Sequence, residues 1–476
     1  MTLGPLTMSP TRIHVWEEDP GAHSARRSPI AQPTRDISKS PLSFDVIDRA
    51  PGPYSPAAEK LRYETAIDSL IRAVDWFAEA MNGRSLSWHE DVGRTLRVTL
   101  EGGDELNAFY HREGPKKGLR FCTPTTAGKK IHTCESPDIV CHEVGHALLD
   151  GLRPQFLHAA GLEYFAFHEA FGDASSILSS LTLDSFCSNV LHETGGKINF
   201  TSRLSRMAEQ FSEAVRLLNP GKSDQNCLRD AANEFFYADP LNLPFRAPAT
   251  AICGRMHSFS RIFSATILDV LDAFYQPPHF SIPDLKAAAA NTGKILCRAT
   301  EMTPISPWYW ADMAAHMIAV DLKEFGGQQT ESLRRIFLKR GILSFEDLES
   351  LTMERLDSVD LKDSAPDSDR ESPTATLLVD GARYGIDRGY EVEIPNQAPR
   401  LVRIEVPAEE RHKYAEKIAR YSIESAFIEG RVGITKNLCI DGAPLMPKNE
   451  SRTFTHEVQE TDAGSAVLRR VAFIHG

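Results

Sequence analysis

The sequence predicts an α+β fold: a mixed, sheet-containing N-terminal lobe, a mainly helical lobe after it, and a small α+β domain at the C-terminal end. Three observations lead there. Three short strand patterns follow one another at Thr95–Leu100, Leu106–His111 and Gly118–Cys122, the first of them alternating apolar and polar. From Met256 to residue 351 the apolar residues recur with helical spacing instead. After a charged stretch at 355–372, strand-like runs return around one helix candidate, Ala408–Phe427. At 476 residues the chain exceeds one ordinary domain. The reading divides it into an arm (1–55), a mixed lobe (56–180), a helical lobe (181–354), a linker (355–372) and a C-terminal α+β domain (373–476).

The elements follow in order. Residues 18–55 carry Pro20, Pro29, Pro33, Pro41, Pro51 and Pro53 among Ser and Arg, a poor prospect for a core and a good one for an extended arm. A helix runs from Pro56 to Met81 with Leu61, Ala66, Leu70, Ala73, Val74, Phe77 and Ala80 on one face, and Asn82-Gly83 stops it. Glu101-Gly102-Gly103-Asp104 turns between the first two strands. Ser136 is an N-cap with Pro137 at the first helical position, and that helix ends near Gly151–Leu152. A second helix starts at Leu162, and residues 175–215 read as helix, loop, helix. Further helices are expected at Met256–Ala273, 283–297, 308–323 and 329–351. In the last domain, strands are expected at Thr374–Val379, Tyr390–Ile394, Leu401–Val406, Gly430–Ile440 and Val467–Ile474.

The helix after Ser136 contains His142-Glu143-Val144-Gly145-His146. On a helix, positions i and i+4 share a face, about 6 Å apart along the axis, so the two imidazoles can hold one metal ion. Zinc suits imidazole nitrogen and, in catalytic sites, keeps one position open. Glu143 sits turned aside from the ligands, where a carboxylate can take a proton from attacking water. The next helix offers Glu169 and Asp173, again four apart. Glu169 is the third ligand in this reading, and Asp173 accepts the other N–H of a ligand histidine. Ala166, Ala170 and Ala174 keep that helix slim. The site lies in an apolar run, where unpaired His and Glu would be costly.

With these segments in hand, the chain resembles the thermolysin-type, gluzincin zinc metallopeptidases over roughly residues 85–340. Besides the zinc segments, Leu106-Asn107-Ala108-Phe109-Tyr110 is similar to the family's Asn-Ala-aromatic edge strand, Gly172-Asp173 follows Glu169 as in the family's Glu-x-x-x-Asp helix, and Arg255–Ile262 resembles its apolar-His-x-x-Ser segment. The resemblance implies a thermolysin-like two-lobed fold and one catalytic zinc on His142, His146 and Glu169, with Glu143 as base. It implies that Asn107 and Ala108 hold the substrate backbone and that His257 faces the tetrahedral intermediate. An arginine contacting the prime-side carbonyl corresponds to Arg229, with Arg255 as the other candidate. Tyr164 falls where the family places an oxyanion tyrosine, and aromatic packing is its other reading. The family's calcium-binding carboxylates are not evident, so structural calcium is not expected.

The implied function is a zinc endopeptidase acting on peptide or protein substrates. An aminopeptidase would need a Gly-x-Met-Glu-Asn-type strand, which does not precede His142. An inactive, protein-binding relative is the other alternative. The net charge of −12 argues against nucleic acid, since phosphate binding needs basic surface. No stretch has the length of a membrane span and no secretory signal is evident. Eight cysteines without Cys-x-x-Cys permit a few bridges but no disulfide scaffold. For the arm at 18–55 two readings stand: a solvated tail, and an inhibitory strand laid across the catalytic cleft.

Overall fold

The computed structural model describes residues 12–474 except 22–27, 127, 219–220, 222, 225, 277–280, 358, 360–372, 403–405 and 441–453. The chain begins with β1 (Arg12–Val15), β2 (Ile30–Pro33), β3 (Ser43–Val46) and the long helix α1 (Ala57–Ala80). Strands β4 (Thr95–Thr99), β5 (Ala108–His111), β6 (Gly118–Phe121), β7 (Thr125–Thr126) and β8 (Lys129–Lys130) come next. Helices α2 (Pro137–Leu152), α3 (Leu162–Ser180) and α4 (Asp184–Thr194) lead into β9 (Arg206–Met207), α5 (Glu209–Leu218) and β10 (Arg229–Asp230). The helical part continues through α6 (Met256–Phe274), α7 (Ile282–Met302), α8 (Tyr309–Glu324), α9 (Thr330–Lys339), α10 (Phe345–Ser350) and α11 (Met353–Asp357). The remainder is β11 (Thr374–Val379), β12 (Tyr390–Pro395), α12 (Ala408–Ile428), β13 (Val432–Ile434), β14 (His456–Glu460), β15 (Ala466–Arg470) and β16 (Ala472–Ile474). The fold is mixed α+β, and none of its described helices is long and apolar enough to cross a membrane.

Two five-stranded sheets organise the molecule, in the orders β16-β5-β6-β4-β3 and β11-β12-β15-β14-β13. β4 alternates as its sequence suggests, with Leu96 and Val98 inward. α1, α2 and α3 pack together beside the first sheet, and α6 lies against α3, α7 and α9. The α2 start follows its sequence: the Ser136 side chain accepts from the Ile139 amide, and Pro137 opens the helix. α1 stops where Asn82 and Gly83 take positive φ.

Several expectations need correction. The arm is not all loop: β3 pairs in parallel with β4, and β1 and β2 form an antiparallel hairpin, with β1 against α1. The predicted domain boundaries cut through one sheet, because β3 (from 1–55) and β16 (from 373–476) both join strands of the 56–180 segment. Nor does the linker begin at 355, since α11 continues to Asp357; most of 355–372 lies outside the described residues. In the expected strand Leu401–Val406, residues 403–405 lie outside the described residues and Leu401 and Val402 form a bend. Of Gly430–Ile440 only Val432–Ile434 is strand, followed by a short 3-10 turn. Val467–Ile474 is two strands, not one. β15 pairs with β12 and β14, whereas β16 crosses to the other sheet after a single residue, Val471. All eight cysteines are unbonded.

Candidate metal centre

α2 and α3 cross with almost no space between them. A Cβ added at Gly145 would stand 2.8 Å from the Ser175 Cβ and 2.9 Å from the Gly172 Cα, and one added at Gly172 would stand 2.7 Å from the His142 Nδ1. Two glycines facing each other, more than the alanines the sequence singled out, set this approach. It delivers the His142 ring to the side chains of α3. Nδ1 of His142 lies 3.0 Å from the Asp173 Oδ1. A carboxylate only accepts, so Nδ1 carries the proton and Nε2 faces away, toward Glu169.

Glu169 places one oxygen 3.5 Å from the His142 Nε2 and the other 3.9 Å from the His146 Nε2. Donor atoms around a tetrahedral zinc stand about 3.3 Å apart, given bonds of roughly 2.0–2.1 Å. All three side chains are buried. Neither nitrogen of His146 and neither oxygen of Glu169 has a hydrogen-bond partner, a costly state for buried polar atoms that a cation would relieve. His142, Glu143 and His146 also form a buried group with donor atoms within 4.8 Å of one another, able to hold a metal ion. Of the two carboxylates, Glu169 approaches both Nε2 atoms from a separate helix. Glu143 is adjacent to His142 on the same helix, and the nearby Tyr110 backbone favours its charged form.

The electrostatics follow from burial and neighbours. Burial opposes a charged His142, but the hydrogen bond to Asp173 and the nearby Glu169 carboxylate outweigh it and lift its pKa to about 9. His146 has no such partner, and burial holds it well below the usual imidazole range. Burial would raise Glu169, yet His257, His142 and His146 hold it well below the carboxylate range. Asp173 is likewise kept low against burial by Arg229 and His142. Glu143 is pushed up to about 8, first by desolvation, with His142 acting against the rise. A metal binds deprotonated ligands, so it would displace the His142 proton, and its affinity falls as pH falls.

Around this group the sequence-predicted residues divide. His257, the second residue of α6, brings Nε2 within 3.3 Å of a Glu169 oxygen. Arg229 donates to the Asp173 Oδ1 at 3.0 Å, and Ser264 donates to the other oxygen at 2.7 Å. Arg255 is drawn away to Glu429 at 2.7 Å. Tyr164 is not brought to the group: its hydroxyl donates to the Ser306 carbonyl at 2.5 Å, and its ring packs on Phe156 and Tyr309. The aromatic-packing reading describes it, because its side of α3 faces the core. Asn107 is buried and accepts from the Ala108 amide through its own side chain at 3.0 Å. β5, which starts at Ala108, is not an open edge: β16 covers it.

Sequence reasoning missed three groups. Phe473 of β16 stacks on the His146 ring with centroids 4.7 Å apart and on His168 at 3.9 Å. The Arg470 guanidinium lies 3.8 Å over the Phe473 ring, and burial lowers its pKa to about 9 against the pull of Glu169. His168 is fully buried. All three come from long-range packing, and only the position of His168 beside Glu169 was a local hint. A cavity of about 230 Å³ opens next to His257 and Arg229, with Val215, Leu228 and Met256 on its apolar side. At the start of the arm, Glu17 and Glu18 bond Arg203, and the Asp19 side chain accepts from the Gln210 amide. No family model matches this chain, and no curated protein matches it.

Proposed function

We propose that this chain is a zinc-dependent endopeptidase of thermolysin-like, two-lobed architecture, acting on peptide or protein substrates. One observation carries the reading: Glu169 of α3 approaches both Nε2 atoms of the His-Glu-x-x-His helix while Asp173 holds the far side of His142. Two imidazoles and one carboxylate are the donor set of hydrolytic zinc sites that keep a position open. When bound, zinc supplies Lewis acidity and brings the pKa of water toward neutrality.

The remaining work falls to side chains of this protein. Glu143, buried beside His142, takes a proton from the attacking water at its carboxylate and passes it to the leaving amide nitrogen. His257 donates to the carbonyl oxygen as it gains charge, and its place at the N-terminus of α6 adds favourable potential there. Asp173 fixes the ring of His142, and Arg229 neutralises Asp173. The apolar side of the neighbouring cavity suits a hydrophobic prime-side residue. Substituting Glu143→Gln keeps shape and removes the basic oxygen. Zinc content and Tm are expected to stay at wild type, while turnover of an internally quenched peptide falls by about 10²–10⁴, measured on the whole chain and on the chain ending at Arg470. Near-normal turnover by the metal-replete variant would remove Glu143 as the base.

A further inference from the structure

The strand that covers β5 has the geometry of a bound peptide. β16 runs antiparallel to β5, with Ala472 opposite His111, Phe473 opposite Tyr110 and Ile474 opposite Phe109. This is β-augmentation, in which an extended segment pairs with a sheet edge and its alternate side chains enter pockets. The edge is the one beside the metal centre, since the Tyr110 backbone reaches Glu143. Phe473 is fully buried, stacked against both the His146 and the His168 ring, with centroids 4.7 and 3.9 Å away. Ala472 is equally enclosed, with room for a small side chain.

The segment continues directly from the other sheet. It is joined to β15 through Val471, and the Thr455 carbonyl accepts from the Val471 amide at 2.9 Å. Arg470 donates to the Ala472 carbonyl at 3.2 Å while its guanidinium covers the Phe473 ring. Three residue pairs hold β16 to β5, against five that hold β15 to β14.

We infer that Val471–Ile474 is a tethered peptide ligand of the metal centre: the groove along β5 takes an extended peptide with a small residue followed by an aromatic one, the aromatic ring stacked against His146 and His168, and the chain's own segment fills that groove until it is displaced. What the groove binds is independent of the endopeptidase reading; that the bound peptide is then cleaved rests on it. A tethered segment competes at about millimolar effective concentration, so a free peptide meets a closed groove in the whole chain.

The probe is a fluorescein-labelled peptide of the sequence Arg-Val-Ala-Phe-Ile-His-Gly, followed by anisotropy. The chain ending at Arg470 is expected to bind it at least about tenfold more tightly than the whole chain does, and to lose that binding when the peptide's Phe is replaced by Ala. Whole-length Phe473→Ala, which keeps the backbone, is expected to gain binding by a few-fold. A truncated chain that unfolds at the wild-type temperature and binds no better than the whole chain overturns the inference. If truncation prevents folding, absence of any gain in Phe473→Ala overturns it. Tight binding without turnover of any peptide supports the groove and counts against the peptidase reading; turnover without binding of this probe does the reverse.

Discussion

Strands from the two ends of the described chain join the same sheet, and they do so at opposite edges: β3 beside β4, β16 beside β5. The β3 edge is structural. Phe44 packs edge-on against Trp88 with centroids 5.5 Å apart, the Trp88 indole donates to the Ser43 carbonyl at 2.9 Å, and Asp48 accepts from the Leu100 amide at 2.5 Å. The β16 edge meets His111, His146, His168 and Arg470 instead. A free sheet edge is a general template for another strand. What separates the two is the chemistry behind them: one is closed with apolar and amide contacts, the other with an aromatic ring laid on an imidazole whose nitrogens have no hydrogen-bond partner.

The comparison sharpens if small changes at the site edge cost much and larger ones at the far edge cost little. The largest effect is expected from Gly172→Ala. Its Cβ would stand 2.7 Å from the His142 Nδ1 and push the ring off Asp173. Loss of such an outer hydrogen bond lowers metal affinity by about 100-fold, roughly 2.7 kcal/mol, measurable by competition with a chromogenic chelator. Unchanged affinity would break the link between helix crossing and metal site.

Next comes acid. Burial, helped by Lys116, lowers His111 from 6.5 to about 4, despite a hydrogen bond with the Val471 backbone. Because the folded pKa is the lower one, the neutral ring's contribution is whole above about pH 6.5 and is lost as pH falls toward 4. Going from pH 7 to 5 removes up to about 2 kcal/mol through this group. Urea midpoints at the two pH values should therefore differ less in His111→Asn than in wild type; equal acid sensitivity would detach His111 from the docking of β16. The smallest effect belongs to the far edge. Phe44→Ala, at a half-buried position, is expected to cost about 1 kcal/mol by the same unfolding assay. It should leave zinc content and peptide binding untouched, and a change in either would erase the distinction between the edges.

Much of the candidate site's geometry was legible because its signals are local. His142 and His146, and again Glu169 and Asp173, sit four apart on helices whose caps and apolar faces are written in the sequence. β4, β5 and β6 were legible for the same reason, and β11 runs over the expected Thr374–Val379. What stayed hidden is nonlocal. Ala472–Ile474 is too short to show a period, and nothing in it says that its partner is β5, more than 350 residues away. Gly145 and Gly172 look unremarkable singly and matter only where they face each other. The orientation of Tyr164 depends on Ser306, a carbonyl that sequence spacing cannot place.

The account stands most directly on the metal and its three donors. Zinc counted by elemental analysis in purified wild type, Glu169→Ala and Glu143→Gln separates the ligands from the base in one measurement. The account predicts about one zinc per chain in wild type and in Glu143→Gln, and far less in Glu169→Ala after dialysis against a weak chelator. Full retention by Glu169→Ala, or loss by Glu143→Gln with Glu169 intact, would contradict it.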